Sequence, residues 1–305
     1  MRVHDLFTQI TEQLITDIEA GAGTWRMPWY TLADAGTPES VDGRRYRGAN
    51  ALWLALVGAD REWTSGVWAT YVAWQRHGAQ VRRGEKATPV LLWKSVTAKR
   101  HDRDTEPAGD DTDPANGRRL VARAYNVFSA EQVDGADELL ARRAQRADGR
   151  DSAERIAAAD AYFAGFSVEV IEGGNQACYL PGSDTIRIPT IDRFHTPAAY
   201  YATRAHESVH ATGHPSRLAR TFGQRFGDRA YAAEELVAEL GAAMWCAQAG
   251  ISSTTRTDHA AYLSHWLDIL RDDPRSLVTV ASKAQAAVDY INSHTTHPLP
   301  GPTVG

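Results

Sequence analysis

The segment "TRAHESVHATG" places His206 and His210 four residues apart, with Glu207 directly after the first. This spacing constrains the fold more than any other feature of the chain. Residues i and i+4 share one face of an α-helix, so a helical segment brings both imidazoles to one ion. Thr196 is placed to cap that helix, Pro197 suits its first turn and Gly213 ends it. An open catalytic zinc site takes three protein ligands and leaves one position for water, so a second element must bring a third donor. In one class of zinc site that donor is a histidine ten residues after the first, but Ser216 stands there. The remaining candidate is the run "YAAEELVAELGAAMWCAQAG", where Glu235 and Glu239 lie one helical turn apart beside Leu236 and Leu240. Carboxylates on an inward-packing face are expensive to bury unless they are paired or hold a cation. Glu235 is assigned as third ligand beside His206 and His210, and Glu239 as the acid that orients a ligand histidine; the reverse assignment stays open. Glu207 lies beside the ion, where a carboxylate serves as base toward an attacking water. Zinc is the expected ion for this donor set, with Mn2+, Co2+ or iron also compatible. His214, just past the helix end, can either orient the site or bind substrate, or else satisfy nearby backbone, and His195, just before the helix, is read in the same way.

The other half of the chain has a different chemistry. Seven of the nine tryptophans precede residue 100, and residues 1–128 hold 17 basic against 16 acidic side chains. The segment "HDRDTEPAGDDTDPANG", 101–117, supplies six of those acids and one base, so its surroundings are distinctly basic although the whole chain carries a net charge of −5. Rich in Asp, Pro and Gly and without a large apolar residue, it reads as a disordered acidic insertion. Single-stranded nucleic acid is held by flat side chains that stack on bases and by cations that follow the phosphates. "RRYRGAN" offers Arg44, Arg45, Tyr46 and Arg47, and "WQRHGAQVRRGEK" offers Trp74, Arg76, Arg82, Arg83 and Lys86. Trp25 and Trp29 complete the candidates, whereas Trp53 and Trp68, at helical spacing among apolar residues, are expected in the core. None of the predicted helices is basic enough to read a duplex groove, which favours a single strand over a double one.

With 305 residues, 43% of them hydrophobic, the chain can bury a core in each of two domains. The expected fold class is α+β. Residues 1–130 read as an N-terminal domain with an amphipathic first helix, two further short helices and a hairpin of "TPVLLWKSV" with "LVARAYNVFS" around the acidic insertion. Residues 131–150 read as a linker. Residues 151–293 read as a small sheet, with a hairpin turning at "PGSD", followed by helices around the metal-bearing one, and 294–305 as a flexible tail. Two cysteines are too few for a disulfide framework, and neither a signal peptide nor an apolar run of membrane-spanning length occurs, so a cytoplasmic location away from membranes is expected.

Taken together, "YRGANALWLAL", "WATYVAWQRHGAQVRRGEKATPVLLWK" and "AYNVFSAEQVDG" resemble the N-terminal domain of the ArdC family of plasmid and phage antirestriction proteins. "YLPGSDTIRIP", "YYATRAHESVHATGHPSRLAR" and "YAAEELVAELGAAMWCAQAG" are similar to its C-terminal zincin-like domain. The resemblance implies a domain that binds single-stranded DNA, joined to a metallopeptidase-like domain that protects incoming mobile DNA from host restriction. It places the metal motif on His206, Glu207, His210 and Glu235. Two departures are Ser208, where the family often has a bulky apolar residue, and the acidic insertion. The expected function is therefore an antirestriction protein that binds single-stranded DNA and cleaves a protein or peptide on it. The alternative is a non-catalytic DNA-binding module whose metal is structural.

Overall fold

The computed structural model describes residues 3–21, 37–97, 107–113, 118–146, 152–221, 229–251 and 260–299. Helix α1, Val3–Gly21, follows the apolar spacing predicted for it, with Ile10 and Leu14 fully buried. A short strand, β1 (Glu39–Ser40), precedes helix α2 (Gly48–Asp60), whose apolar run "ALWLAL" is buried almost throughout. The stretch around "WATYVAWQR" divides into a strand, β2 (Val67–Ala69), and a six-residue helix, α3 (Tyr71–Arg76), capped by the Thr70 hydroxyl, which accepts from the Ala73 amide. Strand β3 (Gln80–Val81) and the long strand β4 (Thr88–Thr97) follow.

The predicted hairpin partner is β6, Arg118–Ser129, which runs antiparallel to β4 from Thr88 opposite Val127 to Thr97 opposite Arg118. On its other edge β6 pairs with β2 and with β5, Pro107–Asp113. Residues 107–113 therefore form a strand inside the segment expected to be disordered; the rest of that segment lies outside the described residues. The linker expected at 131–150 is also structured in part. Its start forms a 3-10 turn and the short strand β7 (Val133–Asp134), paired with β3, and then helix α4 (Asp137–Arg146). Ala136, Leu139 and Leu140 pack there with Trp74, Val81 and Val133 in a small second core.

Helix α5 (Ser152–Ala164) opens the C-terminal half, followed by strands β8 (Glu169–Glu172), β9 (Cys178–Leu180) and β10 (Thr185–Ile188). The β9–β10 hairpin turns where "PGSD" predicts it, and β10 lies between its antiparallel partner β9 and the parallel β8. Among the described residues four helices complete the half: α6 (Pro197–Thr212), α7 (Ala230–Ala249), α8 (Ala260–Asp272) and α9 (Arg275–His294). No described helix is long and apolar enough to cross a membrane.

The two halves do not keep separate cores. One continuous buried cluster runs from Ile10 and Leu14 through Leu52, Trp53 and Trp68 to Trp245, Trp266, Val280 and Val288. Helix α1 reaches across to α8 and α9, and the Thr11 hydroxyl donates to the Pro274 carbonyl at 3.0 Å. Trp53 and Trp68, 4% and 2% exposed, are core residues as their spacing predicts.

Candidate metal centre

Helix α6 is built as its sequence dictates. The Thr196 hydroxyl accepts from the Ala199 amide at 3.1 Å, Pro197 occupies the first turn, and Gly213 closes the helix. A side chain at Gly213 would press on the Arg220 guanidinium at 2.9 Å and on the His210 carbonyl at 3.1 Å. On this helix His206, Glu207 and Ser208 are all buried. Helix α7 packs against it so closely that a Cβ on Gly241 would meet the Val209 side chain at 2.7 Å.

Across this contact the predicted donors converge. His206 Nε2 and His210 Nε2 lie 3.0 Å apart, and the Glu235 carboxylate stands 3.6 Å from the first and 3.4 Å from the second. One atom from each of the three falls within 4.8 Å of the others. Each imidazole has a carboxylate at its far nitrogen: Glu239 Oε1 lies 3.0 Å from His206 Nδ1, and Glu234 Oε1 lies 3.3 Å from His210 Nδ1. Both Nε2 atoms face the shared point, and a carboxylate behind each imidazole is the usual way in which a metal's histidines are oriented. Glu234 is in turn gripped by Arg220, whose Nε and Nη2 reach its two oxygens at 3.1 and 2.5 Å. Arg220 also donates to the Thr212 hydroxyl and the Val209 carbonyl, each on the metal-bearing helix.

Acidic side chains dominate the electrostatics of the centre. Burial alone would lower the His210 pKa, yet the hydrogen bonds to Glu234 and Glu235 and the field of Glu207 hold it up at about 10. Burial would raise the Glu235 carboxyl, but contact with both histidines drives it well below the ordinary carboxylate range. Glu234 is lowered too: its hydrogen bonds to His210 and Arg220 outweigh its burial. Four carboxylates, Glu207, Glu234, Glu235 and Glu239, thus surround two imidazoles and one guanidinium. With an ion in place of the His210 proton, two imidazole nitrogens and one carboxylate oxygen would form a donor set that suits a divalent transition ion. His214 stays out of the cluster; its Nδ1 is 2.7 Å from the Ser216 hydroxyl and accepts from the Ser216 amide, a local backbone role. Sequence reasoning missed Glu234 and Arg220. The doubled acid at 234–235 hinted at the first, and no periodicity marks the second.

The residues proposed for nucleic acid fare unevenly. Trp74, expected to be exposed, is fully buried, and its indole donates to the Phe128 carbonyl at 3.0 Å, so it is a core residue. Its position on a six-residue helix packed against β6 overrides the basic context read from the sequence. Arg82 is exposed but engaged with Glu85, Asp134 and the carbonyls of Glu131 and Val133, where it fastens β3 to the β6–β7 turn. Arg76, Arg83 and Lys86 are exposed, as are Arg44, Arg45 and Arg47 on the loop into α2. Tyr46 is half-buried, and desolvation raises its hydroxyl to about 12. Trp25 and Trp29 lie outside the described residues.

Comparison with known proteins gives this geometry a family. Residues 4–128 match the N-terminal domain of the anti-restriction factor ArdC, and residues 157–283 match a zincin-like metallopeptidase domain. An uncharacterized protein of Sinorhizobium fredii (strain NBRC 101917 / NGR234) is 40% identical over 293 residues, which is 95% of this chain and 92% of that protein. The DNA primase TraC of Escherichia coli is 35% identical over 301 residues, 93% of this chain but only 26% of the primase. The Mn(II)-bound crystal structure of the antirestriction protein ArdC from the R388 plasmid matches with a TM-score of 0.73 and 34% identity, covering 95% of this chain and 98% of that one. Its metal-free form matches equally, with a TM-score of 0.74. With one relative matched along nearly its whole length and the two domain models in the same order, the chain belongs to the ArdC antirestriction family and joins that family's N-terminal domain to a zincin-like metallopeptidase domain.

Proposed function

We propose that the chain is an antirestriction protein that binds single-stranded DNA with its N-terminal half and hydrolyses peptide bonds at a zinc centre held by His206, His210 and Glu235. The observation that carries the reading is the convergence of these three donors within 4.8 Å, with a carboxylate behind each imidazole. That a relative binds Mn(II) supports a divalent ion, and the nitrogen-rich donor set favours zinc as the resident one. When bound, the ion supplies Lewis acidity toward water and toward a substrate carbonyl. Glu207, buried on the same helix, accepts a proton from the attacking water and returns it to the departing amine. Glu239 and Glu234 keep the two imidazoles in the tautomer that turns Nε2 to the centre. The exposed arginines of "RRYRGAN" give the other half its hold on phosphates, which would bring the peptidase to proteins acting on incoming mobile DNA in the cytoplasm.

Glu207→Gln tests the reading because it removes the base and leaves all three donors. The variant should bind zinc and a labelled oligonucleotide like the wild type, lose peptide hydrolysis, and lose protection in a DNA-transfer assay against a restricting host. Protection at wild-type level by this variant would instead favour the non-catalytic module with a structural metal.

A further inference from the structure

Between the halves lies a cleft of about 700 Å3. Its size falls in the range of about 300–1,000 Å3 typical of small-molecule sites. The N-terminal half supplies the loop of Arg45, Tyr46 and Arg47 together with Leu92 of β4 and Tyr125 of β6, and helix α9 supplies the facing wall. On α9 the lining positions Val278, Ser282, Gln285, Ala286 and Asp289 share one face, while Ala281, Ala284 and Val288 turn into the core. The cleft has an apolar floor, two half-buried tyrosines and a cationic mouth.

We infer that this cleft seats one nucleotide of a single DNA strand, its base on the apolar floor beside Tyr46 and Tyr125 and its phosphate at Arg45 and Arg47. The inference rests on the reading that the chain binds single-stranded DNA, and it makes the C-terminal helix α9 part of the DNA site. The Arg45 guanidinium has no ion partner among the described residues. Arg47 pairs with Asp289 across the cleft mouth, both side chains half-exposed at 61% and 42%. An exposed pair of this kind adds little to stability, so a phosphate can take the place of Asp289 at little cost. The two amides in the cleft are each held by partners in the protein. Asn50 exchanges hydrogen bonds with the Leu91 backbone at 2.6 and 2.9 Å, and Gln285 accepts from the Gly48 amide at 3.1 Å while donating to Asp289 at 3.1 Å. With both amides tied to the protein in this way, the seat takes a base by contact with its flat face, as sequence-tolerant strand binders do.

The test is fluorescence-anisotropy titration of a labelled thymidine oligonucleotide with the full chain. Ala286 is exposed on α9, so changes there spare the core. Ala286→Glu should weaken binding by about tenfold, whereas Ala286→Lys should bind at least as tightly as wild type. An oligonucleotide of abasic residues should bind about tenfold more weakly than the thymidine strand, since contact with the base is lost. Wild-type binding by Ala286→Glu, with its thermal midpoint unchanged, would overturn the cleft as the seat while leaving single-strand binding intact. Equal affinity for the abasic strand would overturn the base seat. A wild type that binds no oligonucleotide at low salt would sink the underlying reading, and the cleft with it.

Discussion

Arg220 acts on the metal centre without touching its middle. Nearly buried, at 4% side-chain exposure, it grips Glu234, which in turn faces the outer nitrogen of His210. Its removal leaves a buried carboxylate with the imidazole as its remaining counter-charge, so Arg220→Ala should weaken zinc binding by about 10–100-fold in a chelator competition. Arg220→Lys should restore only part of the loss, because an ammonium cannot span both carboxylate oxygens as the guanidinium fork does. A second residue-scale prediction concerns Glu131, far from the metal. Its carboxylate accepts from the amides of Thr64 and Ser65, each at 2.7 Å, and from the hydroxyls of Ser65 and Ser129 at 2.8 and 2.6 Å. Burial would raise its pKa, but these four donors win and bring it from 4.5 down to about 2. A depressed carboxyl stabilises the fold above its unfolded pKa and loses that contribution as pH falls through the folded value. Stability should therefore decline between about pH 5 and pH 2 by on the order of 2 kcal/mol from this group alone. Glu131→Gln should flatten that part of the profile in denaturant titrations at several pH values.

Helices α6 and α7 bring the donors together only because Gly241 lets them touch. Gly241→Ala improves local helix propensity by about 1 kcal/mol, yet its new methyl meets Val209 at 2.7 Å in a packed core. Overpacking of this kind costs about 1–3 kcal/mol, so the variant should be net destabilised in urea. It should also bind zinc more weakly, because the added bulk moves Glu235 away from both imidazoles. The helices themselves were legible in the sequence, since their caps and apolar spacing are local signals. The two histidines and the glutamate of α7 were legible for the same reason: each is an element-level pattern. The misses have one physical cause. Strand β5 is held by main-chain pairing to β6, with Asp113 in register opposite Arg118, and main-chain pairing leaves no trace in an acidic, proline-bearing sequence. Helix α4 shows only Leu139 and Leu140 as anchors, too few to mark it off from a linker before the partners Trp74 and Val133 are known.

At the scale of the whole molecule, composition suggested two domains with separate cores, and the two halves instead share one main core beside a small second cluster in the N-terminal half. The first helix illustrates why this was hidden. Its buried face, Ile10 and Leu14, says that it packs on something apolar but not on what, and its partners α8 and α9 lie more than 200 residues away in sequence. A shared core has a thermodynamic consequence. An ion that binds only the folded state adds RT ln(1 + [L]/Kd) to its stability, about 2.7 kcal/mol at a hundredfold excess over Kd. In a molecule with independent halves, that increment would reach only the half that holds the ion, and a calorimetric trace would split into a metal-sensitive and a metal-insensitive transition. Here the cluster that includes Trp53 and Trp68 is continuous with the one around Trp245 and Trp266, so neither half can unfold without exposing the other's apolar surface. Calorimetry should show a single endotherm that moves upward as a whole by several degrees when zinc is added, and returns with a chelator. The same shift should appear whether unfolding is followed by indole fluorescence, dominated by the seven tryptophans before residue 100, or by loss of helix, concentrated after residue 150. His206→Ala should abolish the zinc-dependent shift in both signals together, and a shift confined to one of them would mean that the halves unfold separately.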